Sequence, residues 1–280
     1  MMSDKQVEQR IKADLLQTGY ADGCVIYLEG KSDPEIFFAL LGIPPPKDGV
    51  HQKTLVRGFS GDDWASGNET VRRHVAIAET KGFSGKVYGI IDGDGADWNT
   101  LVHQFDLPHS GPLFAWKAYS IESLLPQVGW PSSWGVEPAW VAELDCYTPY
   151  AALNRLHISL RQALETLDLH TFSNPVAGQT LKGEIDVAAA LGRDQHLLAG
   201  RDLAAEFAAE VNQVRTSFAA SLAQGLATMN GKWLFTHFLP TRLRRPNHPR
   251  LRSEWLSHAT AIGGLLEVRD LWERITGSPP

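Results

Sequence analysis

Cysteine is scarce in this chain: Cys24 and Cys146 are the only two among 280 residues. No CxxC pair and no Cys/His spacing offers a structural zinc site. Two isolated thiols fit a reduced, cytoplasmic protein and not a disulfide-stapled one. No apolar run approaches the roughly 18 residues that a membrane span needs, and the polar start, MMSDKQVEQR, cannot form a signal-peptide core. Excess positive charge is also missing. The formal net charge is -6 and the pI about 5.9, which excludes a generally basic nucleic-acid coat but leaves room for a local basic strip. There is no Gly-x-Ser-x-Gly elbow. There is no P-loop either: Gly231-Lys232 is followed by Trp233, and position 226 is Leu. The chain itself is not expected to hydrolyse ATP.

What is present is the composition of a globular protein, 43% hydrophobic and 21% charged, with enough length for one large domain or a domain plus a module. Ser3 with Gln6 forms a capping-box pattern, and Val7, Ile11 and Leu15 mark one face of a first helix that ends over Gly19 to Gly23. Cys24 to Leu28 is a continuous apolar run of strand length, the pattern of a strand covered on both faces. A helix capped by Ser32 or Asp33, with Pro34 in its first turn and Gly42 as its stop, follows at once. Thr54 to Val56 reads as a strand, Glu69 to Thr80 as a helix with Val71, Val75 and Ala78 inward, and Lys86 to Ile91 and Leu113 to Tyr119 as two further strands. Such alternation predicts an α/β fold with a mainly parallel sheet flanked by helices.

Beyond about residue 125 the pattern changes. Residues 126 to 148 hold Pro126, Pro131 and Pro138 among tryptophans, with little periodicity. From Pro149 the chain reads as helical: Leu153, Leu156, Leu160, Leu164 and Leu167 step by three or four. A polar break spans 173 to 183, and Leu203, Phe207, Val211, Val214, Phe218, Leu222 and Leu226 trace one long amphipathic helix. The expected organisation is an α/β core over 1–128, a mostly helical module, inserted or appended, over 129–228, and a segment 229–280 that packs back on the core.

Two acidic groups sit where chemistry belongs. Glu29 directly follows the first strand, and Asp92-Gly93-Asp94-Gly95 directly follows the third. In a parallel sheet the carboxyl ends of strands form the binding edge. Residues two apart in an extended segment point to one side, so Asp92 and Asp94 can converge on one ion. An Asp-Gly pair is by itself an ordinary turn, and Asp33 by itself an ordinary helix cap. Their joint placement at two strand ends outweighs those readings, because carboxylates gathered without a cation repel one another. All-oxygen donors suit Mg²⁺ or Mn²⁺.

The order strand, Glu29-Gly30-Lys31-Ser32-Asp33, helix, strand, Asp92-x-Asp94 resembles a TOPRIM domain, the Rossmann-like module of topoisomerases, primases, small ribosomal-RNA maturases and OLD-family nucleases. Ser120-Ile121-Glu122-Ser123-Leu124-Leu125 resembles the x-x-Glu-Asn-Tyr-Leu element of the OLD-like branch, with Ser123-Leu124 where Asn-Tyr is usual. Asn230-Gly231-Lys232-Trp233-Leu234 resembles its late Gly-Lys element. The pattern is most similar to the nuclease effector subunits of PARIS-type anti-phage systems. The resemblance implies a Mg²⁺-dependent (or Mn²⁺-dependent) endonuclease acting on DNA or RNA, tRNA included, as a toxic effector held in check by an ABC-type ATPase partner. It implies Glu29 as metal-linked acid and general base, Asp92 and Asp94 as metal holders, Asp33 as supporting ligand, Glu122 as ligand to a second metal, and Lys232 as the cation at the scissile phosphate. Asp97, after Gly95-Ala96, competes for the second ligand position.

Arg242, Arg244, Arg245, Arg250 and Arg252 crowd one short window, a strip that can bind phosphates. A solvated loop or an acidic protein partner accounts for such a strip almost as well. A homodimer is expected, since cutting two strands often uses two sites. The alternative function is a non-catalytic interaction subunit with a degenerate TOPRIM fold.

Overall fold

The computed structural model describes residues 2–59, 67–94, 96, 98–105, 111–160, 201–246 and 248–280. The first helix, α1 (Asp4–Gln17), carries the expected capping box: Ser3 Oγ accepts from Gln6 N, and the Gln6 side chain accepts from Ser3 N. Val7 and Ile11 are buried on its inner face.

A five-stranded sheet follows, made of β1 (Cys24–Leu28), β2 (Val50–His51), β3 (Thr54–Gly58), β4 (Val87–Ile91) and β5 (Leu113–Ala115), in the spatial order β2-β3-β1-β4-β5. The β3-β1-β4-β5 pairings are parallel, and only the two-residue edge strand β2 runs antiparallel. β1 is buried at every position. Its residues divide by alternation: Ile26 and Leu28 join a core with α2 (Asp33–Leu40), while Val25 and Tyr27 join a second core with α1 and α3 (Gly67–Thr80). A strand covered on both faces has no use for polar side chains, hence the unbroken apolar run. Each Val, Leu or Ile so buried contributes about 1.5–3 kcal/mol.

The chain passes from β1 to β3 on one side, then to β4 on the other. The reversal of direction between β1 and β4 opens a crevice at their carboxyl ends. The register pairs Leu28 with Ile90, so Glu29 and Asp92 leave neighbouring strands at nearly the same level.

Two expectations change. Leu113 to Tyr119 forms ladder pairs only over Leu113–Ala115. Beyond that point Trp116 N donates to Ile91 O at the end of β4, and the loop that follows takes over the bonding, Gly93 N donating to Ala118 O and Asp94 N to Tyr119 O. Asp94 is left-handed (φ 48°), a conformation Asp tolerates better than most residues. The loop thus turns while still bonded to the neighbouring segment. The long helix expected from Leu203 to Leu226 is two helices. Ser221 is extended (φ -168°) and its Oγ caps Gln224 N, so α7 (Leu203–Ala220) stops and α8 (Leu222–Leu226) restarts. Among the described residues, the helix ahead of them is α6 (Thr148–Leu160), preceded by the short α5 (Trp140–Leu144). The expected positions Leu164 and Leu167, the 173–183 break and Asp97 lie outside the described residues.

The C-terminal elements are α9 (Leu239–Leu243), α10 (His248–Ala261) and α11 (Leu266–Thr276), entered through a π-helical turn at Leu234–Phe238. Both α10 and α11 pack on α2. Leu265 N donates to Leu40 O at 2.7 Å, and Trp272 meets Phe37 with ring centroids 6.2 Å apart. Trp130, Trp134, Trp140 and Trp255 pack edge-on and stacked in one buried cluster with Phe235 and Phe238. This is what the aperiodic Trp/Pro segment is for. It fills the same core as the α2 face of the sheet. No described helix is long and apolar enough to cross a membrane.

Candidate active site at the sheet switch point

A cleft of about 150 Å³ opens at the carboxyl ends of β1 and β4, lined by Glu29, Gly30, Asp33, Gly67, Asp92, Glu122 and Lys232. Four carboxylates singled out by sequence therefore meet, together with the one lysine. Asp94 does not line the cleft: its left-handed backbone breaks the extended spacing expected to aim it alongside Asp92, and it is exposed, though its charge still acts on Glu29 and Asp92.

The positions are fixed by backbone bonding. Glu29 Oε1 accepts from Asp92 N at 2.8 Å, tying the two strand ends together across 63 residues of chain. Asp92 Oδ1 accepts from Ile121 N at 3.1 Å, which draws in the Ile121–Val128 3-10 helix carrying Glu122. Ser32 occupies the N-cap position of α2 but makes no side-chain cap bond. Asp33 instead reaches back, its Oδ2 accepting from Gly30 N at 2.7 Å. That closes the turn between β1 and α2 and leaves Asp33 in the cleft.

The Gly-Lys element is held by a close approach that only glycine permits. A Cβ on Gly231 would lie 2.3 Å from Ser123 N and 2.7 Å from the Glu122 carbonyl carbon. Ser123 Oγ donates to Met229 O at 2.8 Å in the same contact. Glu122 and Lys232, more than a hundred residues apart, are thus set by one backbone-to-backbone junction. Gly67 works the same way at the start of α3: a Cβ there would lie 2.6 Å from Glu29 O.

The electrostatics follow from crowding. Burial raises the Glu29 carboxyl to about 7, and the charges of Asp94 and Asp33 add to it against the Asp92 N–H bond. Asp33 is raised to about 6, first by burial and then by Glu122. Asp92 is pushed well above the usual carboxylate range by burial, with Glu29, Asp33, Glu122 and Asp94 all repelling its charge. Two cations oppose this. Lys232 lowers both Glu29 and Asp33, and Arg252 lowers Asp33. Five carboxylates against two cations is an arrangement that costs folding energy, the usual mark of a site retained for chemistry.

The strip of arginines is mostly engaged within the chain. Arg242 pairs with Glu143 at 2.6 Å, and Arg245 and Arg250 both hold Glu254, at 2.6 and 2.9 Å. Arg244 is exposed at the end of α9. Arg252 alone reaches the cleft rim, donating to Ser32 O at 2.9 Å and facing Glu35 at 3.4 Å. Sequence reasoning placed it in a phosphate strip and gave no sign that it borders Asp33. It also missed Gly67 and the Tyr119 carbonyl that holds Asp94 N. An α-helix over Trp98–Phe105, here α4, went unnoticed as well.

Among the described residues no three His, Cys, Asp or Glu side chains stand as a ready-made ion cage. The donor set nevertheless fits a hard divalent cation: the acids lining the cleft offer oxygen alone, with no His or Cys beside them. Burial first, and then the neighbouring carboxylates, raise Glu29, Asp33 and Asp92, so a bound cation would favour their charged forms. Comparison with models of known protein families, with curated proteins and with solved structures gave no match.

Proposed function

We infer that this chain is a Mg²⁺- or Mn²⁺-dependent endonuclease of TOPRIM type, cleaving phosphodiester bonds in DNA or RNA. The observation that carries the reading is the Asp92 N–H to Glu29 Oε1 bond at the sheet's switch point, with Asp33, Glu122 and Lys232 lining the same cleft. Glu29, Asp92 and Asp94 would hold the ion, with Asp33 supporting and Glu122 placed for a second. Such an ion, when bound, would neutralise phosphate charge and make a water more acidic.

The chain's own groups supply the rest. Glu29 commits one carboxylate oxygen to Asp92 N, and its Oε2 receives the proton of the attacking water. Water oxygen bonds to phosphorus, the P–O bond to the leaving sugar breaks, and that oxygen takes up a proton. Lys232 Nζ, at the exposed rim, binds the non-bridging phosphate oxygens and holds the developing charge. Arg252, fixed by Ser32 O, steadies a neighbouring phosphate. The resemblance to nuclease effectors of PARIS-type systems adds service as an anti-phage effector held in check by an ATPase partner.

Two measurements test this. Purified protein is expected to bind Mn²⁺ by titration calorimetry and, with Mg²⁺ or Mn²⁺, to nick oligonucleotides. Asp92→Asn and Glu29→Ala should abolish both. Unchanged metal binding and cleavage in those variants would refute the assignment, and a wild-type chain that binds no metal would favour the non-catalytic alternative.

A further inference from the structure

A second cleft, of about 270 Å³, begins at Ala96, two residues beyond Asp94. One wall is the end of that loop and the start of α4, with Ala96, Trp98 and Asn99. The other is α7 and α8, with Gln213 and Gln224, and Arg155 of α6 closes it. The two clefts share a frame. Ala96 N donates to Gly93 O, Asp94 N to Tyr119 O, and Tyr119 N to Leu226 O on α8. The second cleft thus starts on the same loop that carries Asp92 and Asp94.

The lining chemistry is specific about what fits. Among the described lining residues the cation is Arg155, which is bound to Glu210 at 2.6 Å, and this answers its charge. Among the described residues the lining holds no carboxylate, so it does not call for a metal, and the Arg155–Glu210 pairing leaves little call for an anion. The other described lining groups are neutral: a half-buried indole, the amides of Asn99, Gln213 and Gln224, and small or hydroxyl-bearing side chains. An indole supplies a stacking surface, and amides supply donors and acceptors for a heterocycle's edge. The volume lies just below the smallest ordinary small-molecule sites of about 300 Å³, room for one base and not for a duplex.

We propose that this cleft is a nucleobase subsite that receives one unstacked base of a single-stranded nucleic acid whose backbone crosses the acid cluster. The inference rests on the phosphodiesterase reading of that cluster. It makes the substrate a single strand, a loop or an end, because a base inside a duplex cannot reach the cleft without leaving its stack.

The test uses the full chain carrying Glu29→Gln, which removes cleavage but not the second cleft. Fluorescence anisotropy would follow binding of roughly twelve-nucleotide single strands, as DNA and as RNA, intact or with one abasic nucleotide moved along the strand. One abasic position should weaken binding about tenfold, and Trp98→Ala should weaken the intact strand by about the same factor. The two changes should not add, since each removes the same stack. The DNA and RNA arms identify the sugar. Should Trp98→Ala fail to fold, Asn99→Ala at an exposed position takes its place, with a smaller loss that depends on which base is offered. Additive or absent effects, with wild-type cleavage of the same strands intact, would overturn the subsite and leave the nuclease reading standing. Coupled losses in a chain that neither binds metal nor cleaves would overturn the nuclease reading and leave the base site. A chain that binds no strand at all overturns both.

Discussion

Replacing Glu29 by Gln should make the metal-free protein more stable while destroying its activity. Gln keeps the Oε1 acceptor for Asp92 N and removes only the charge. The Glu29 carboxyl stands at about 7 in the fold against 4.5 for an unperturbed glutamate. A raised carboxyl means that the folded state holds the proton more tightly than the unfolded chain. The stability this gives is complete below pH 4.5 and is lost as pH rises through 7. At 1.36 kcal/mol per pH unit the wild-type loss reaches about 3 kcal/mol by pH 8. That is a ceiling, because Glu29 exchanges protons with Asp33 and Asp92, and a neighbour can hold the proton instead. A recovery of about 1–3 kcal/mol corresponds to a gain of roughly 2–10 °C in melting temperature for a chain near this size. The assay is calorimetric melting in chelator from pH 5 to pH 8. The Gln variant should lie close to wild type at pH 5 and rise above it as pH increases. Added Mg²⁺ at pH 8 should raise wild type more than the variant. A Gln variant less stable than wild type at pH 8 would show that Glu29 is there for the fold, and the functional argument from its strain would fail.

Gly231→Ala should destabilise the chain by more than about 2 kcal/mol by chemical denaturation, because its Cβ would meet backbone of Glu122 and Ser123. If it folds, cleavage should fall even though no acid has been touched; an unaltered melting curve would show that the junction yields. Arg252→Ala loses its bond to Ser32 O and is expected to raise KM for oligonucleotides several-fold with kcat little changed, whereas a pure kcat loss would place Arg252 on the reacting phosphate.

The strands were legible because their burial is two-sided. Cys24 to Leu28 and Val87 to Ile91 are nearly all apolar, and each lies in the sheet where the run predicts. The acids were legible because they directly follow those runs. What the sequence hid is bonding between distant segments. Leu113 to Tyr119 is apolar but for Lys117, yet its ladder stops at Ala115, where β4 ends and the Asp92–Asp94 loop begins bonding to it. The stripe from Leu203 to Leu226 keeps helical phase across Ser221, whose side chain starts a new helix in place of continuing the old one. The approach of Asn230-Gly231 to Ser123 leaves no local trace beyond one glycine. Arg252 looked like its four neighbours; only the packing of α10 on α2 brings it beside Asp33.

The most direct test of the central claim is an anomalous difference map from crystals soaked in Mn²⁺. The account predicts a peak in the cleft between the carboxylates of Glu29 and Asp92, lost in Asp92→Asn. A clean map at that point with ordered side chains, or a peak elsewhere that survives the substitution, would contradict it.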